Sequence, residues 1–232
     1  MKAISFWRQA GWVIRKDLRI ELRSGEALLI TVPFGALALM MAPLAIGTDA
    51  DLLSRIGPGM LWLIILLFGM LVTFRATSLE APPIRDLLAL SGLDPAAAFI
   101  GRSVASAGLL LALIIGLTPV MIVLYSPAAA GGPPTIIDWG RLLALGTAAA
   151  LGMALIGSLA GALVSGLRTR SALAPLLVAP LSIPVLLATT QSTDLILAGR
   201  SIMRWLLLLV AMDLALAIVG VLLAGPLEDT AG

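Results

Sequence analysis

Long runs without a single charge constrain this chain more than any other feature. No residue from Ser103 to Tyr125 is charged, and none from Gly59 to Phe74. An α-helix rises 1.5 Å per residue, so about 20 apolar residues match a hydrocarbon core about 30 Å thick. Such runs recur along most of the 232 residues, of which 60% are hydrophobic and 12% charged. Globular chains are roughly 25% charged. The runs are continuous, where a barrel would show alternation in ten-residue segments. The fold class is therefore all-α, a polytopic membrane protein, read as one transmembrane domain over residues 1–232.

Six spans are predicted, at about residues 27–47, 56–74, 102–125, 139–166, 171–189 and 201–223. Residues 4–24 read as an amphipathic interfacial helix ahead of them. At about 100° per residue, Trp7, Gly11, Ile14, Leu18 and Leu22 share one face. Arg8, Arg15, Arg19 and Arg23 run along its flank, with Asp17 and Glu21 on the far side. That pattern suits the anionic headgroups of a bilayer; it also suits a helix packed on a partner protein. The first 25 residues are too charged to hold the apolar core of a signal peptide, and none is expected.

Basic residues set the orientation. With the N-terminus inside, the cytoplasmic segments carry Lys2, Arg8, Arg15, Lys16, Arg19, Arg23, Arg75, Arg85, Arg102, Arg168 and Arg170. The outer ones carry Arg55, Arg141, Arg200 and Arg204, a division of 11 to 4 that predicts both termini in the cytoplasm. Trp62, Tyr125, Trp139 and Trp205 fall near the predicted outer boundary, Trp7 and Trp12 near the inner one.

Cysteine and histidine are both absent, which excludes disulfides, thiolate metal sites and His-ligated haem or zinc. Neither Lys2 nor Lys16 sits in a phosphate-binding loop. The chain is thus not expected to be an enzyme, and any ATP must be bound by another subunit. A net charge of +2 gives no basis for a nucleic-acid partner.

Four features stand out as candidates. The segment 75–101 carries Arg75, Glu80, Arg85, Asp86 and Asp94, a Pro82-Pro83 break, and Ile84, Leu87, Leu88 and Leu90 in helical spacing. A transporter needs such a short amphipathic helix between spans to receive force from a soluble ATPase; an ordinary interfacial loop helix fits the stretch equally. The fourth span holds Gly152, Gly157 and Gly161, small residues that let helices approach closely within the monomer or across a dimer. Pro175, Pro180 and Pro184 lie inside the fifth span, which is expected to be broken, beside a pathway or through packing alone. Asp213 stands near the middle of the sixth, where a charge costs at least about 2.5 kcal/mol. It should face the bundle or carry a proton. No basic residue lies one turn away in its own helix, so its partner comes from another span or chain, or is a hydroxyl or carbonyl.

Three stretches carry a resemblance. They are Arg15-Lys-Asp-Leu-Arg-Ile-Glu-Leu-Arg23, Leu53-x-Arg55-Ile-x-Pro58-Gly-Met-Leu-Trp62, and Leu155-Ile-Gly-Ser-Leu-Ala-Gly-Ala-Leu-x-x-Gly-Leu-Arg168 continuing to Ala179-Pro-Leu-Ser-Ile-Pro-Val185. With length and span count, this ordered set resembles the haem exporter protein B family, the membrane permease subunit of the cytochrome c maturation ABC transporter. The resemblance implies a six-span exporter fold of the ABC-2 kind in the bacterial inner membrane, above two copies of an ABC ATPase subunit. It also implies a haem-handling membrane protein and a small accessory membrane protein as partners. Haem would be held by partners and ATP by the ATPase, with no cofactor bound by this chain. ATP hydrolysis would drive haem export or release of a haem-loaded chaperone. One departure stands out: Ala81-Pro-Pro-Ile-Arg85 replaces the family's usual Asp-Gly-x-Leu-Glu after the second span, a stiffer element with a positive charge. Two other readings stay open, an ABC-2 permease for a lipid, drug or glycan, and a non-transporting membrane scaffold.

Overall fold

Glycine decides where the first helix ends. Gly25 has φ +63°, a left-handed backbone that a side chain disfavours, and its N–H caps the preceding helix on the Glu21 carbonyl at 2.7 Å. A computed structural model describes residues 5–47, 49–78, 93–125, 135–164 and 170–229. Among these residues the chain forms seven helices: α1 (Phe6–Ser24), α2 (Glu26–Ile46), α3 (Ala50–Ser78), α4 (Pro95–Tyr125), α5 (Ile136–Val164), α6 (Arg170–Leu197) and α7 (Met203–Asp229). Described residues outside these helices form turns, bends or irregular backbone, and none is in a strand.

Among the described residues, five helices are long and apolar enough to cross a membrane: α2, α3, α4, α5 and α7. The fifth predicted span, 171–189, falls on α6, which is not among them. Its 28 residues carry Ser182, Thr189, Ser192 and Thr193 on the buried side.

Several predicted boundaries need correction. The segment 75–101 was expected to lie between spans, yet α3 continues to Ser78 and α4 already begins at Pro95. Charges mark where a helix leaves hydrocarbon, but its hydrogen-bond ladder continues into the headgroup region and beyond. Likewise α6 runs through Thr190 to Leu197, residues expected in a loop. The expected break in the fifth span is absent, since the backbone stays helical from Arg170 to Leu197 across Pro175, Pro180 and Pro184. A proline removes one ladder bond without ending a helix when the surroundings hold the rest.

The bundle is assembled around α4, which packs against α1, α2, α3, α5 and α7. Leu110, Leu113, Leu117 and Met121 are completely buried along it. In lipid there is no hydrophobic drive between helices, so close packing must hold them together. Neighbouring helices meet α4's large side chains with glycine. A methyl group built on Gly35 of α2 would lie 2.9 Å from Leu117, one on Gly69 of α3 2.9 Å from Leu110, and one on Gly57 2.9 Å from Tyr125. Gly220 of α7 receives the Phe99 ring in the same way.

Two hydrogen bonds lock the bundle at the end of α4. Pro43 has no N–H, so the carbonyl of Leu39, four residues earlier in α2, lacks its helical donor. The buried Tyr125 hydroxyl donates to that carbonyl at 2.8 Å. Trp62 of α3 donates its indole N–H to Thr193 Oγ1 of α6 at 2.9 Å. Trp62 and Tyr125 are 2% and 1% exposed, so these two aromatics belong to the core and not to an interfacial belt. At the α6–α7 turn, Gly199 (φ +67°) and Arg200 donate to the carbonyls of Ile196 and Leu195. That pair of bonds closes the helix and reverses the chain.

Candidate functional site

The predicted coupling segment joins α3 to α4 in sequence, and Asp94 near its C-terminal end is anchored. Asp94 is the N-cap of α4, its carboxylate accepting from the Ala96 N–H at 2.9 Å. The Asp94 N–H in turn donates to the Gln9 side-chain oxygen of α1 at 2.7 Å. Two turns further on, Gly101 lets α1 press directly onto α4. A methyl group built there would lie 2.7 Å from Val13 Cβ and 2.9 Å from the Ala10 carbonyl oxygen. Thus α1 clamps the first turns of α4, and any displacement of Asp94 is felt by α1. Of the predicted coupling residues, Arg75 lies in the last turns of α3, while Glu80, Arg85, Asp86, Leu87, Leu88 and Leu90 lie outside the described residues.

The second constellation lies within the bundle. Asp213 of α7 is 9% exposed, and its Oδ1 is buried without a hydrogen-bond partner. It faces Gly152 of α5, where a methyl group would lie 2.7 Å from Oδ1 and 3.6 Å from Val185 of α6. Two residues read separately from the sequence, Asp213 and Gly152, are thus brought into one place: the glycine makes room for the carboxylate. The bundle-facing orientation follows. Gly157 serves another contact, receiving Thr73 of α3, and Gly161 is half-buried one turn later. Pro180 and Pro184 are exposed on α6, away from its packed side; Pro175 is described only as part of the helical backbone.

Between α3, α5 and α6 lies a void of about 10 Å³ lined by Gly69, Thr73, Met153, Gly157 and Ser182. That is room for about one water. Thr73 and Ser182 donate to carbonyls of their own helices, Gly69 and Ala179. Among the described residues no three acidic side chains gather as metal ligands would.

The hydroxyl face of α6 went unrecognised in the sequence. Ser182, Thr189 and Thr193 fall within about 40° on a helical wheel, and all are fully buried. Thr189 and Thr193 donate to the Val185 and Thr189 carbonyls, whereas the Ser192 hydroxyl is buried without a partner. The spacing was there to be read, but assigning residues 190–200 to a loop cut it in two. The Gln9–Asp94 link carries no local signal, since it joins residues 85 apart.

Comparison with known proteins adds a family. The profile of the CcmB protein family matches residues 8–226, from the first turn of α1 into the last turn of α7. The chain is 34% identical over 192 residues to heme exporter protein B of Bradyrhizobium diazoefficiens, covering 81% of this chain and 82% of that one. It is 31% identical over 204 residues to heme exporter protein B of Paracoccus denitrificans, with 86% and 89% covered. With the protein of the same name from Haemophilus influenzae it shares 32% identity over 185 residues, covering 75% and 76%.

Proposed function

The chain belongs to the CcmB protein family, and from that premise we propose that it is the membrane permease subunit of an ABC transporter serving cytochrome c biogenesis. The match over residues 8–226, in a multi-pass helical membrane protein, carries this reading. In it, α6 is the fifth of the six spans of an ABC-2 type fold, held in the membrane by packing its hydroxyls inward. Two copies of a separate ABC ATPase bind and hydrolyse ATP. Their work drives haem export or release of a haem-loaded chaperone, with a haem-handling membrane protein and a small accessory membrane protein alongside.

The segment 75–94, which also carries Arg75 and Glu80, docks in a groove of the ATPase through Leu87, Leu88 and Leu90, with Arg85 and Asp86 setting orientation. Helix-in-groove contacts draw their affinity from a few apolar anchors and their specificity from charge. The clamp of α1 on α4 through Gln9, Asp94 and Gly101 supports this reading, because it gives the segment a firm base from which to move α4. Both termini lie in the cytoplasm of a bacterial cell, as the 11-to-4 division of basic residues supports. Haem is held by partners in this reading, in keeping with a chain that has no histidine or cysteine.

Deletion of the gene in its own host tests the function. Covalently haem-bearing c-type cytochromes are expected to vanish from membrane and periplasmic fractions, while b-type haem proteins persist, and the gene in trans restores them. A deletion strain with a full complement of c-type cytochromes overturns the proposal in favour of a permease for another substrate or a scaffold.

A further inference from the structure

Docking on α4 divides α1 into three sectors. Ala10 and Val13 are buried against α4, and Asp17 and Glu21 are half-buried on that same side. The acidic residues, expected on the outermost side, thus lie on the side turned towards the bundle. Ile14 and Leu18 flank this sector with the largely exposed Trp7 and Leu22. The remaining third carries Arg8, Arg15, Arg19 and Arg23, all exposed, with the Arg8 guanidinium 5.8 Å from the Trp12 ring centre. No acidic residue falls in that third.

The level of α1 against the bilayer follows from α4. Arg102 is the last charge before the uncharged run to Tyr125. Val13 meets Gly101, just before that boundary, and Leu18 meets Gly108, just after it. The apolar sector at Leu18 therefore lies beside the uncharged run of α4, and the arginines occupy a different third of the helix.

We propose that the arginine sector of α1 is a binding site for anionic phospholipid headgroups in the leaflet where α4 begins, and that occupied headgroups hold α1 against α4. Charge complementarity selects the occupant. Four arginines face outward with the acids turned away, and Trp7 and Trp12 flank them as residues that favour the membrane–water interface. This inference requires only that the helices span the membrane, and it stands whatever the transported substrate.

The test uses the full chain in nanodiscs, with Trp139 and Trp205 changed to Phe. Emission then comes from Trp7 and Trp12 and from Trp62, which is sealed in the core. Quenching by brominated phosphatidylglycerol is compared with quenching by brominated phosphatidylcholine in mixed bilayers. The anionic lipid is expected to quench preferentially, and added salt should weaken the preference. Changing Arg8, Arg15, Arg19 and Arg23 to Gln should cut it at least about fivefold, the equivalent of one arginine's attraction to an anionic surface. Changing the same four to Lys should keep it, which separates charge from any effect on folding. Equal quenching by both lipids in the parent protein overturns the proposal, as does a preference that survives the four Gln changes. Absence of quenching by either lipid overturns it too, and points to α1 as a docking surface for an acidic soluble protein.

Discussion

The two sides of α5 are built on different rules. Towards α3 and α4, side chains fit into glycine notches of α5, Ile114 against Gly146 and Thr73 against Gly157, and α4 meets its other neighbours the same way, Leu110 against Gly69 of α3 and Leu117 against Gly35 of α2. Towards α6 and α7 the interior is polar, with the hydroxyls of Ser182, Thr189, Ser192 and Thr193 and the carboxyl of Asp213. On the first side Thr73 donates to Gly69 and Tyr125 to Leu39. On the second, Ser192 Oγ and Asp213 Oδ1 are buried without partners. Stability explains the first side. It does not explain the second, because an unsatisfied buried polar group costs about 1–3 kcal/mol.

The largest expected effect breaks the notched side. Gly69→Leu would drive a branched side chain into Leu110, and overfilling a close-packed interior costs about 1–3 kcal/mol, occasionally more. The variant should melt well below the parent in detergent and accumulate poorly in membranes, with export lost in proportion. Unchanged melting would show that α3 and α4 do not meet through this notch.

On the polar side the expected sign reverses. Asp213→Val removes the unpartnered oxygen and should raise thermal stability in detergent, by about 1–3 kcal/mol, while c-type cytochrome assembly falls. Stability and activity moving in opposite directions is the signature of a functional carboxyl. A variant that is both less stable and inactive would assign Asp213 a structural partner instead.

How much of this was legible in the sequence depends on range. Charge-free runs announced the helices, and Asp213, the only acidic residue in the last long apolar run, announced a bundle-facing group. Gly152 was read as a packing residue, but only the fold shows that what it accommodates is Asp213. Helix ends were misplaced because charges report the bilayer boundary, not the end of a hydrogen-bond ladder; Arg75 and Arg102 both lie inside helices. The three prolines of α6 were read as a break for a related reason, since sequence shows the bond a proline removes but not the neighbours that keep the helix in place. Trp62 looked interfacial from its position in the run. It is buried because Thr193, 131 residues away, accepts its N–H.

That bond gives the smallest expected effect. Trp62→Phe keeps most of the ring volume and loses the link between α3 and α6. A single hydrogen bond contributes about 1 kcal/mol, so melting should fall slightly and activity should stay near that of the parent. A large loss of export would mean that this bond holds α6 in register for transport and is more than a packing contact.

The central claim is that this subunit takes its driving force from a separate ATPase through the segment between α3 and α4. Affinity purification of the chain from its own host, before and after Leu88→Asp, tests it most directly. The parent chain should bring down an ABC-type ATPase with ATP turnover, and Leu88→Asp should lose both while remaining in the membrane fraction. An ATPase retained at parental yield by Leu88→Asp, with c-type cytochrome assembly intact, would contradict the account.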